Sequence, residues 1–475
     1  MQVSNKSELK TGLKERHMTM IALGGVIGAG LFVGSGVVVQ QAGPAAVLSF
    51  LITGGLIVLV MRMLGEMACA MPAVGSFYEY ARLAFAGKRG PGKLAGFLTG
   101  WMYWYFWVIV VAVEAVAGAK LVQFWLPDTP AWAISLVLLV VLTATNMISV
   151  GSYGEFEFWF ASIKVAAIVV FLFLGALYVL GLWPASMHTT SVMPTLLSHG
   201  GLMPKGIGPV LSGAVAATGF YFGAEIVTIA AAEAHEPVKA VAKATNSVIT
   251  RVLIFYVGSI LLVVALVPWD SPKMATPYVS ALSAMGIPAA ANVMNAIVLT
   301  AVLSALNSGL YAASRMMFAL TRHGDAPAAL AKVNRRGVPV RAILIGTLFG
   351  YVSVVMSYVS PDTVFAFLVN SYGTVAIFVY VLIAVSQLKL RARLEREAPE
   401  MLRVRMWCYP YLTCFAIVGM VGILVAMAFI PDQRTPLWLG VVSLGVLLVA
   451  YVWRARKSAV ASTEPEFVDY RPRTH

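Results

Sequence analysis

The sequence predicts an all-α integral membrane protein with twelve transmembrane helices, and three observations lead to this prediction. The 475 residues are 60% hydrophobic and 12% charged, whereas about a quarter of the residues in an ordinary globular chain are charged. Apolar runs recur along almost the whole length, and each is long enough to cross a hydrocarbon core of about 30 Å. The polar connections between these runs alternate in their content of lysine and arginine.

Each apolar run is predicted to be one transmembrane helix, because hydropathy over this length identifies membrane spans. The twelve predicted spans are 18–39, 45–70, 95–122, 130–150, 156–182, 207–231, 247–268, 288–320, 340–359, 362–388, 408–430 and 436–453. The connections between them are too short to contain a soluble domain. The fold is therefore expected to lie in the membrane and at its two surfaces.

Lysine and arginine are distributed unevenly between the two sides of the predicted bundle. Of the 34 such residues, 27 lie in the connections of one side, which includes both termini, four lie on the opposite side and three fall inside spans. The positive-inside rule places the basic side in the cytoplasm. The net charge of +13 is therefore interpreted as a topology signal that matches anionic membrane lipids, and not as a nucleic-acid site. The three cysteines predict neither a disulfide framework nor a metal cluster, and no cofactor is expected.

The first span contains a run rich in glycine, GGVIGAGLFVGSG, from Gly24 to Gly36. A dinucleotide-binding loop is excluded, because no strand is predicted before the run and the glycine spacing does not match. The G-x-x-x-G spacing of Gly24 and Gly28 is typical of close helix packing. The glycines also favour an interruption of the helix, since each weakens a helix by about 1 kcal/mol relative to alanine. Unwound backbone in a membrane either lines a cavity or is buried in protein, so an interruption predicts a binding site.

The sixth span shows a second such place, where Gly219 and Gly223 flank three aromatic residues. Interrupted spans at corresponding positions of two halves indicate the binding site of a transporter. Spans one to five and six to ten are therefore predicted to be two repeats, and the odd number of spans inverts the second copy. The predicted divisions are a cytoplasmic N-terminal segment (1–17), a first repeat (18–182), a second repeat (207–388), two additional helices (408–453) and a cytoplasmic tail (454–475).

Three ionisable residues lie deep in predicted spans and are candidates for proton coupling. They are Lys164 in span five, Glu225 in span six and Glu114 in span three. An ionisable side chain at the bilayer centre costs at least about 2.5–3.5 kcal/mol, which makes a functional role the default interpretation. Lys164 is placed about a third of the way along its span, too far for its ammonium group to reach the surface. Each glutamate either carries a proton, binds an ammonium group or pairs with a neighbouring helix.

Polar and aromatic residues of two other spans are candidates for binding a substrate. Tyr103 shares one face of span three with Trp107, four residues later. Ser304 and Asn307 belong to a polar stripe on span eight, and such stripes either join helices or line cavities. Tyr103, Ser304 and Asn307 are therefore candidates for lining a substrate pocket, and packing within the protein is the alternative for each.

The acidic residues near the ends of two spans are expected to lie in or near water. Glu155 and Glu157 are predicted to be interfacial, at the start of span five. Glu233, His235 and Glu236 follow span six and are predicted to be solvated loop residues.

Several motifs occur together in this sequence. They are LKERHMTMIALGGVIGAGLFVGSG, AGPAAVLSF, MRMLGEMA, GSFYEYA, GEFEFWFASIKV, GAEIVTIAAAE and ASRMMFALTRHGDAP. As a set they resemble the bacterial amino acid permeases of the amino acid–polyamine–organocation superfamily. The resemblance covers roughly residues 8 to 455.

This resemblance implies a LeuT-type fold of two inverted five-helix repeats, a place in the bacterial inner membrane, and import of an amino acid by proton symport. The expected substrate is 4-aminobutyrate (GABA). Alternatives are a permease for proline, an aromatic or another neutral amino acid, an antiporter for amino acids or amines, and a sensor that binds but barely transports. The expected partners are the amino acid, protons and membrane lipids, and the protein is not expected to be an enzyme.

The resemblance also implies roles for individual residues. The amides of four residues in the first interruption would hold the carboxylate of the substrate: Ile27, Gly28, Ala29 and Gly30. Carbonyl oxygens of the second interruption would hold its ammonium group: Thr218, Gly219, Phe220 and Tyr221. Lys164 matches a lysine linked to proton coupling, and Glu225 matches the acidic residue of span six.

Overall fold

The computed structural model describes residues 12–25, 27–28, 30–73, 75–87, 91–183, 199–234, 236–359 and 361–458. Within these ranges the chain forms α-helices joined by turns and short 3₁₀- and π-helices, and the only β-type pairing recorded there is an isolated bridge between Leu13 and Ala234. The first seven helices are α1 (Glu15–Gly24), α2 (Ser35–Ala42), α3 (Ala46–Ala70), α4 (Phe77–Ala84), α5 (Gly92–Gln123), α6 (Ala131–Ile148) and α7 (Val150–Val179). The next five are α8 (Ile207–Thr218), α9 (Ile226–Ala230), α10 (Pro237–Leu253), α11 (Ser259–Leu266) and α12 (Pro277–Ala284). The last five are α13 (Ala290–Arg322), α14 (Val340–Val359), α15 (Pro361–Glu397), α16 (Tyr411–Phe429) and α17 (Pro431–Ser458).

The helices have the length and composition of a multi-pass membrane protein, as the sequence predicts. In the described part of the chain, nine helical segments are long and apolar enough to cross a membrane, and two shorter apolar helices accompany them. Large apolar side chains are exposed on the outer helices, for example Phe415 and Val418 on α16. An apolar outer surface of this kind is expected where the surrounding solvent is hydrocarbon.

The first span is interrupted, as predicted. Helix α1 ends at Gly24, Gly25 forms a turn, Gly28 lies in a bend, and the chain resumes as a π-helix over Gly30–Gly34 that leads into α2. Val26 and Ala29 lie outside the described residues.

The sixth span is interrupted as well, and its interruption touches the first. Helix α8 ends at Thr218, a 3₁₀ turn covers Gly219–Tyr221, and α9 begins at Ile226. A Cβ atom placed on Gly25 would lie 2.5 Å from the carbonyl oxygen of Gly223, which itself has a φ of +114°. Glycine is therefore required at position 223 for the backbone conformation and at both positions for the close approach. Of the G-x-x-x-G pair, Gly24 packs closely against Ala161 of α7, whereas a Cβ atom on Gly28 would meet no atom within 4 Å.

Several helices begin or end away from their predicted positions. Helix α7 begins at Val150, six residues before the predicted start at 156, and Lys164 consequently lies at the middle of this 30-residue helix rather than a third of the way along it. Helix α15 continues to Glu397, beyond the predicted end at 388. Charged residues in such terminal turns lie past the apolar run, so hydropathy alone does not detect them.

The most basic connections meet at one end of the bundle. Asp325, which follows α13, forms ion pairs with Arg82 and Arg454. Lys389 on α15 places its Nζ 4.0 Å from the centroid of the Phe85 ring. We call the end defined by these five residues the basic end. The contacts support the prediction that these connections share one side of the membrane.

Candidate functional site

Two glycines that follow the first interruption pack closely against the ring of Phe220. A Cβ atom on Gly30 would lie 2.5 Å from Cδ1 of Phe220, and one on Gly34 would lie 2.7 Å from Cζ of the same ring. By contrast, a Cβ atom on Gly28 or Gly219 would meet no atom within 4 Å. The ring of Phe220 is therefore tightly packed, whereas there is open space beside Gly28 in the first interruption and beside Gly219 in the second.

Polar groups of the second interruption are partly engaged in the protein itself. The carbonyl oxygen of Phe220 accepts a hydrogen bond from the Tyr256 hydroxyl at 2.6 Å. The Tyr221 hydroxyl donates to the carbonyl of Phe50 at 2.8 Å, and Thr218 donates to a carbonyl one turn earlier in α8. The predicted binding role of the carbonyl groups in this stretch stays a prediction.

Glu225 is the centre of a buried cluster next to the second interruption. Its side chain is 1% exposed. One carboxylate oxygen accepts the Tyr103 hydroxyl at 3.0 Å, and the other accepts the Tyr380 hydroxyl at 2.6 Å and the Gly223 amide at 3.0 Å. The carboxylate thus joins α5 and α15 to the start of α9, and its hydrogen bonds satisfy a group that is costly to bury alone.

Lys164 is the centre of a second buried cluster, which includes Ser304 and Asn307 of the predicted polar stripe. Its Nζ donates to the carbonyl of Gly24, the last residue of α1, and to the Ser304 hydroxyl at 2.8 Å. Ser304 in turn donates to Oε1 of Glu157 at 2.6 Å, and Asn307 donates to Oε2 at 3.4 Å. The ammonium group therefore holds the end of the interrupted helix against α7 and α13.

Glu114, the third predicted proton-coupling residue, lies on α5 near this cluster. Its charge interacts with that of Lys164. Oxygen Oε2 of Glu114 is buried and has no hydrogen-bond partner among the described residues, and the same is true of Nε1 of Trp107. A buried polar atom without a partner is uncommon in folded proteins and calls for an explanation, such as a functional role or an ordered water molecule.

Two predictions about acidic residues are wrong. Glu157, predicted to be interfacial, is 0% exposed, because the earlier start of α7 carries it into the helix. Glu233, predicted to be solvated, is buried against Arg315, whose Nε lies 2.7 Å from Oε1 of the glutamate. Glu236 is exposed, as predicted, and His235 lies outside the described residues.

Sequence reasoning did not identify two members of these clusters. The sequence contains a signal for the burial of Glu157, because this residue precedes Lys164 by seven residues and therefore lies on the same face of the helix. Tyr380 had none, since a single tyrosine in an apolar span is common and its contact with Glu225 depends on how α15 packs.

These observations define the class of protein: a multi-pass helical membrane protein in which two interrupted helices meet beside buried charged groups. The chain belongs to the amino acid permease family, which matches residues 17–460.

The sequence is similar to proteins of known name over almost its full length. It is 51% identical to the gamma-aminobutyric acid permease of Bacillus subtilis, and the match covers 97% of each chain. It is 47% identical to the gamma-aminobutyric acid permease of Escherichia coli, over 95% of this chain and 94% of the other. An aromatic amino acid transport protein of Corynebacterium glutamicum is 39% identical over 94% of this chain and 96% of its own.

Proposed function

We propose that the protein is a secondary active transporter that imports 4-aminobutyrate (GABA) by proton symport with alternating access. The observation that carries the proposal is the contact between the two interrupted helices at Gly25 and Gly223. Similarity to permeases named for gamma-aminobutyric acid supports this substrate among the amino acids.

The proposed fold has twelve membrane spans in a LeuT-type arrangement of two inverted five-helix repeats and two additional helices. In this arrangement the paired helices α1–α2, α8–α9 and α10–α11 each form one span, and nine further spans are α3, α5, α6, α7, α13, α14, α15, α16 and α17. The repeats correspond to 18–182 and 207–388, and residues 408–453 follow them. The basic end, with both termini, faces the cytoplasm of a bacterial inner membrane.

The proposed substrate site lies between the two interruptions. Amides at the start of the second half of the first span favour an anion, and carbonyls at the end of α8 favour a cation, because of the polarity of helix ends. The open space at Gly28 and Gly219 supports this placement. A zwitterion such as GABA is then bound at both ends without a charged side chain at either.

Glu225 is proposed to close the site on its cytoplasmic side. Along the chain, Glu225 lies between the second interruption and Glu233. The backbone carbonyl of Glu233 accepts hydrogen bonds from the amides of Gly12 and Leu13, which belong to the N-terminal segment that is predicted to be cytoplasmic. Its bonds to Tyr103 and Tyr380 connect three elements that must separate before substrate leaves toward the cytoplasm. Breaking two hydroxyl bonds to a carboxylate costs only a few kcal/mol, which suits a gate that opens in each cycle.

Lys164 is proposed to couple proton movement to the first span. Its ammonium group binds the last carbonyl of α1, directly before the interruption. Loss of the proton removes the charge from this contact, so the position of α1 depends on whether Lys164 is protonated. Glu114 supplies a second buried carboxyl group near the ammonium.

Reconstitution into proteoliposomes tests this function. With the membrane potential clamped at zero, a pH gradient alone should drive accumulation of labelled GABA in vesicles that contain no substrate. Uptake that requires internal substrate and ignores the gradient would identify an antiporter, and binding without flux would identify a sensor. Competition by unlabelled proline, aromatic and other neutral amino acids ranks the alternative substrates.

A further inference from the structure

A hydrogen-bonded path connects the Lys164 ammonium to a second ionisable group that the proposed function leaves unused. Ser304 lies between the ammonium and the Glu157 carboxylate, at 2.8 Å from one and 2.6 Å from the other. The serine accepts from the lysine and donates to the glutamate, which is the arrangement that a proton transfer through a hydroxyl group requires. All three side chains are 0% exposed.

The burial of Glu157 is maintained by several hydrogen-bond donors. Asn307 donates to its second oxygen, and Asn146 fixes Asn307 by donating to the amide oxygen at 2.8 Å. Burying an acid–base pair away from water costs desolvation free energy, and direct contact between the two charged groups offsets this cost best. A pair separated by one hydroxyl is instead suited to changing its protonation state.

We propose that Glu157 receives the proton of Lys164 through Ser304 and releases it on the cytoplasmic side. This inference rests on the proposed function as a proton symporter. In the transfer, an N–H bond of the ammonium breaks as its proton moves to the serine oxygen. The serine O–H proton moves to the carboxylate. The products are a neutral amine, an unchanged hydroxyl group and a carboxylic acid, so charge and protons balance.

The end of α1 covers this path and links it to the transport cycle. The Gly24 carbonyl accepts from Lys164, while a Cβ atom on Gly24 would lie only 2.7 Å from Oε1 of Glu157. Displacement of α1 therefore frees the lysine and uncovers the glutamate in one movement. The proton then leaves only when the first span has moved.

Among the described residues, few other titratable groups interact electrostatically with this pair. Glu114 on α5 interacts with Lys164, and Tyr153, one turn before Glu157 on α7, interacts with the glutamate. Glu225 belongs to the other cluster. Glu157 is therefore the carboxyl group in hydrogen-bonded connection with the lysine.

The test is Glu157→Gln in proteoliposomes, with accumulation and exchange measured on the same preparation. Exchange cycles the loaded carrier and needs no release of the proton, whereas accumulation does. A gradient of one pH unit sustains about tenfold accumulation in the wild type at one proton per substrate. Glu157→Gln should abolish accumulation and keep most of the exchange, and Glu157→Asp should restore part of the accumulation because it restores a titratable carboxyl group.

The matched control on α7 is Glu155→Gln. Glu155 lies two residues away, is partly exposed and pairs with Arg16 and His17, so this variant should keep both activities. Wild-type accumulation in Glu157→Gln overturns the proposal. Equal loss of accumulation and exchange, without rescue by aspartate, also overturns it, because that result assigns a structural role.

If Glu157→Gln cannot be purified, Ser304→Ala decides the question, since it removes only the bridging hydroxyl. Its control is Thr300→Val, one turn earlier on α13, where the hydroxyl donates to Ile297 on the same helix. Accumulation should be lost in Ser304→Ala and kept in Thr300→Val, and equal behaviour of the two overturns the relay. If the wild type itself ignores the pH gradient, proton symport fails first and the relay fails with it.

Discussion

Helix α13 contributes to two buried acid–base pairs that differ in construction. Arg315 binds Glu233 directly through two nitrogen atoms, at 2.7 and 3.2 Å, and Tyr311 adds a third bond to the carboxylate. Lys164 and Glu157 are instead separated by a serine hydroxyl. Arginine stays charged in proteins, whereas a buried lysine is able to release its proton. The difference fits a fixed connection in the first pair and supports the proposal that the second pair exchanges a proton.

The largest expected effect is the loss of stability when the fixed connection loses its acid. Glu233→Gln leaves Arg315 charged and buried, which costs about 3–5 kcal/mol. Glu157→Gln leaves a lysine that is able to become neutral, and its cost is limited to that of a lost buried hydrogen-bond partner, about 1–3 kcal/mol. Thermal unfolding of the purified variants in detergent measures both. Equal destabilisation by the two variants would contradict the distinction between the pairs.

A double variant provides the control for this comparison. Replacing both partners, in Arg315→Met/Glu233→Gln, removes the uncompensated charge, which is the main cost of breaking a buried ion pair. The double variant should therefore unfold at a higher temperature than Glu233→Gln alone.

The second effect concerns transport, because Lys164→Ala removes the group that is proposed to carry the proton. Accumulation of GABA driven by one pH unit should fall from about tenfold to none. The amount of protein in the membrane should stay near the wild-type level, because Glu157 without its partner is able to take up a proton and become neutral. Lys205→Ala, at an exposed lysine that donates to the Gln40 carbonyl, is the control and should accumulate normally. Normal accumulation by Lys164→Ala would show that the lysine has no part in coupling.

The sequence predicts a feature of this fold well when the residues that determine it are close together along the chain. Hydropathy predicts the spans, because the bilayer requires a local apolar run. Local glycine content predicts both interruptions, and a lysine in an apolar run is conspicuous without knowledge of its partners. Burial of Glu233 depends on Arg315, 82 residues later in the chain, and no local pattern contains that information.

Burial of Glu157 was missed for a different reason. Its helix begins at Val150, in a stretch whose polar and acidic residues reduce the local hydropathy. Hydropathy therefore places the start of this span too late and Glu157 at the interface. An error of six residues at a helix end is enough to make a buried residue look exposed.

A third, smaller effect is expected where α1 touches the pair formed by Lys164 and Glu157. In Gly24→Ala the new methyl group would lie 2.6 Å from Cβ of Ala161 and 2.7 Å from Oε1 of Glu157, so the end of α1 must move away from α7. We expect transport to continue with fewer protons per substrate, measured as proton flux and GABA flux in the same vesicles. Gly422→Ala on α16, where a Cβ atom meets nothing within 4 Å, should leave the ratio unchanged. An unchanged ratio in Gly24→Ala would mean that α1 does not control the pair.

The smallest effect is expected for an exposed acid–base pair at the start of α1. Lys243 Nζ lies 2.5 Å from Oε1 of Glu15, and both side chains are about half exposed. The hydrogen bond and the charge of Lys243 lower the pKa of the Glu15 carboxyl group. Because the folded-state pKa is the lower one, the contribution to stability is complete above the ordinary carboxyl pKa of about 4.3 and is lost as the pH falls through the folded-state value. Lys243→Ala should therefore lower the unfolding temperature slightly at pH 7 and low salt, and the difference should disappear in acid or at high salt. A large, salt-independent effect would place this pair with the buried connection of Arg315 instead of with ordinary surface pairs.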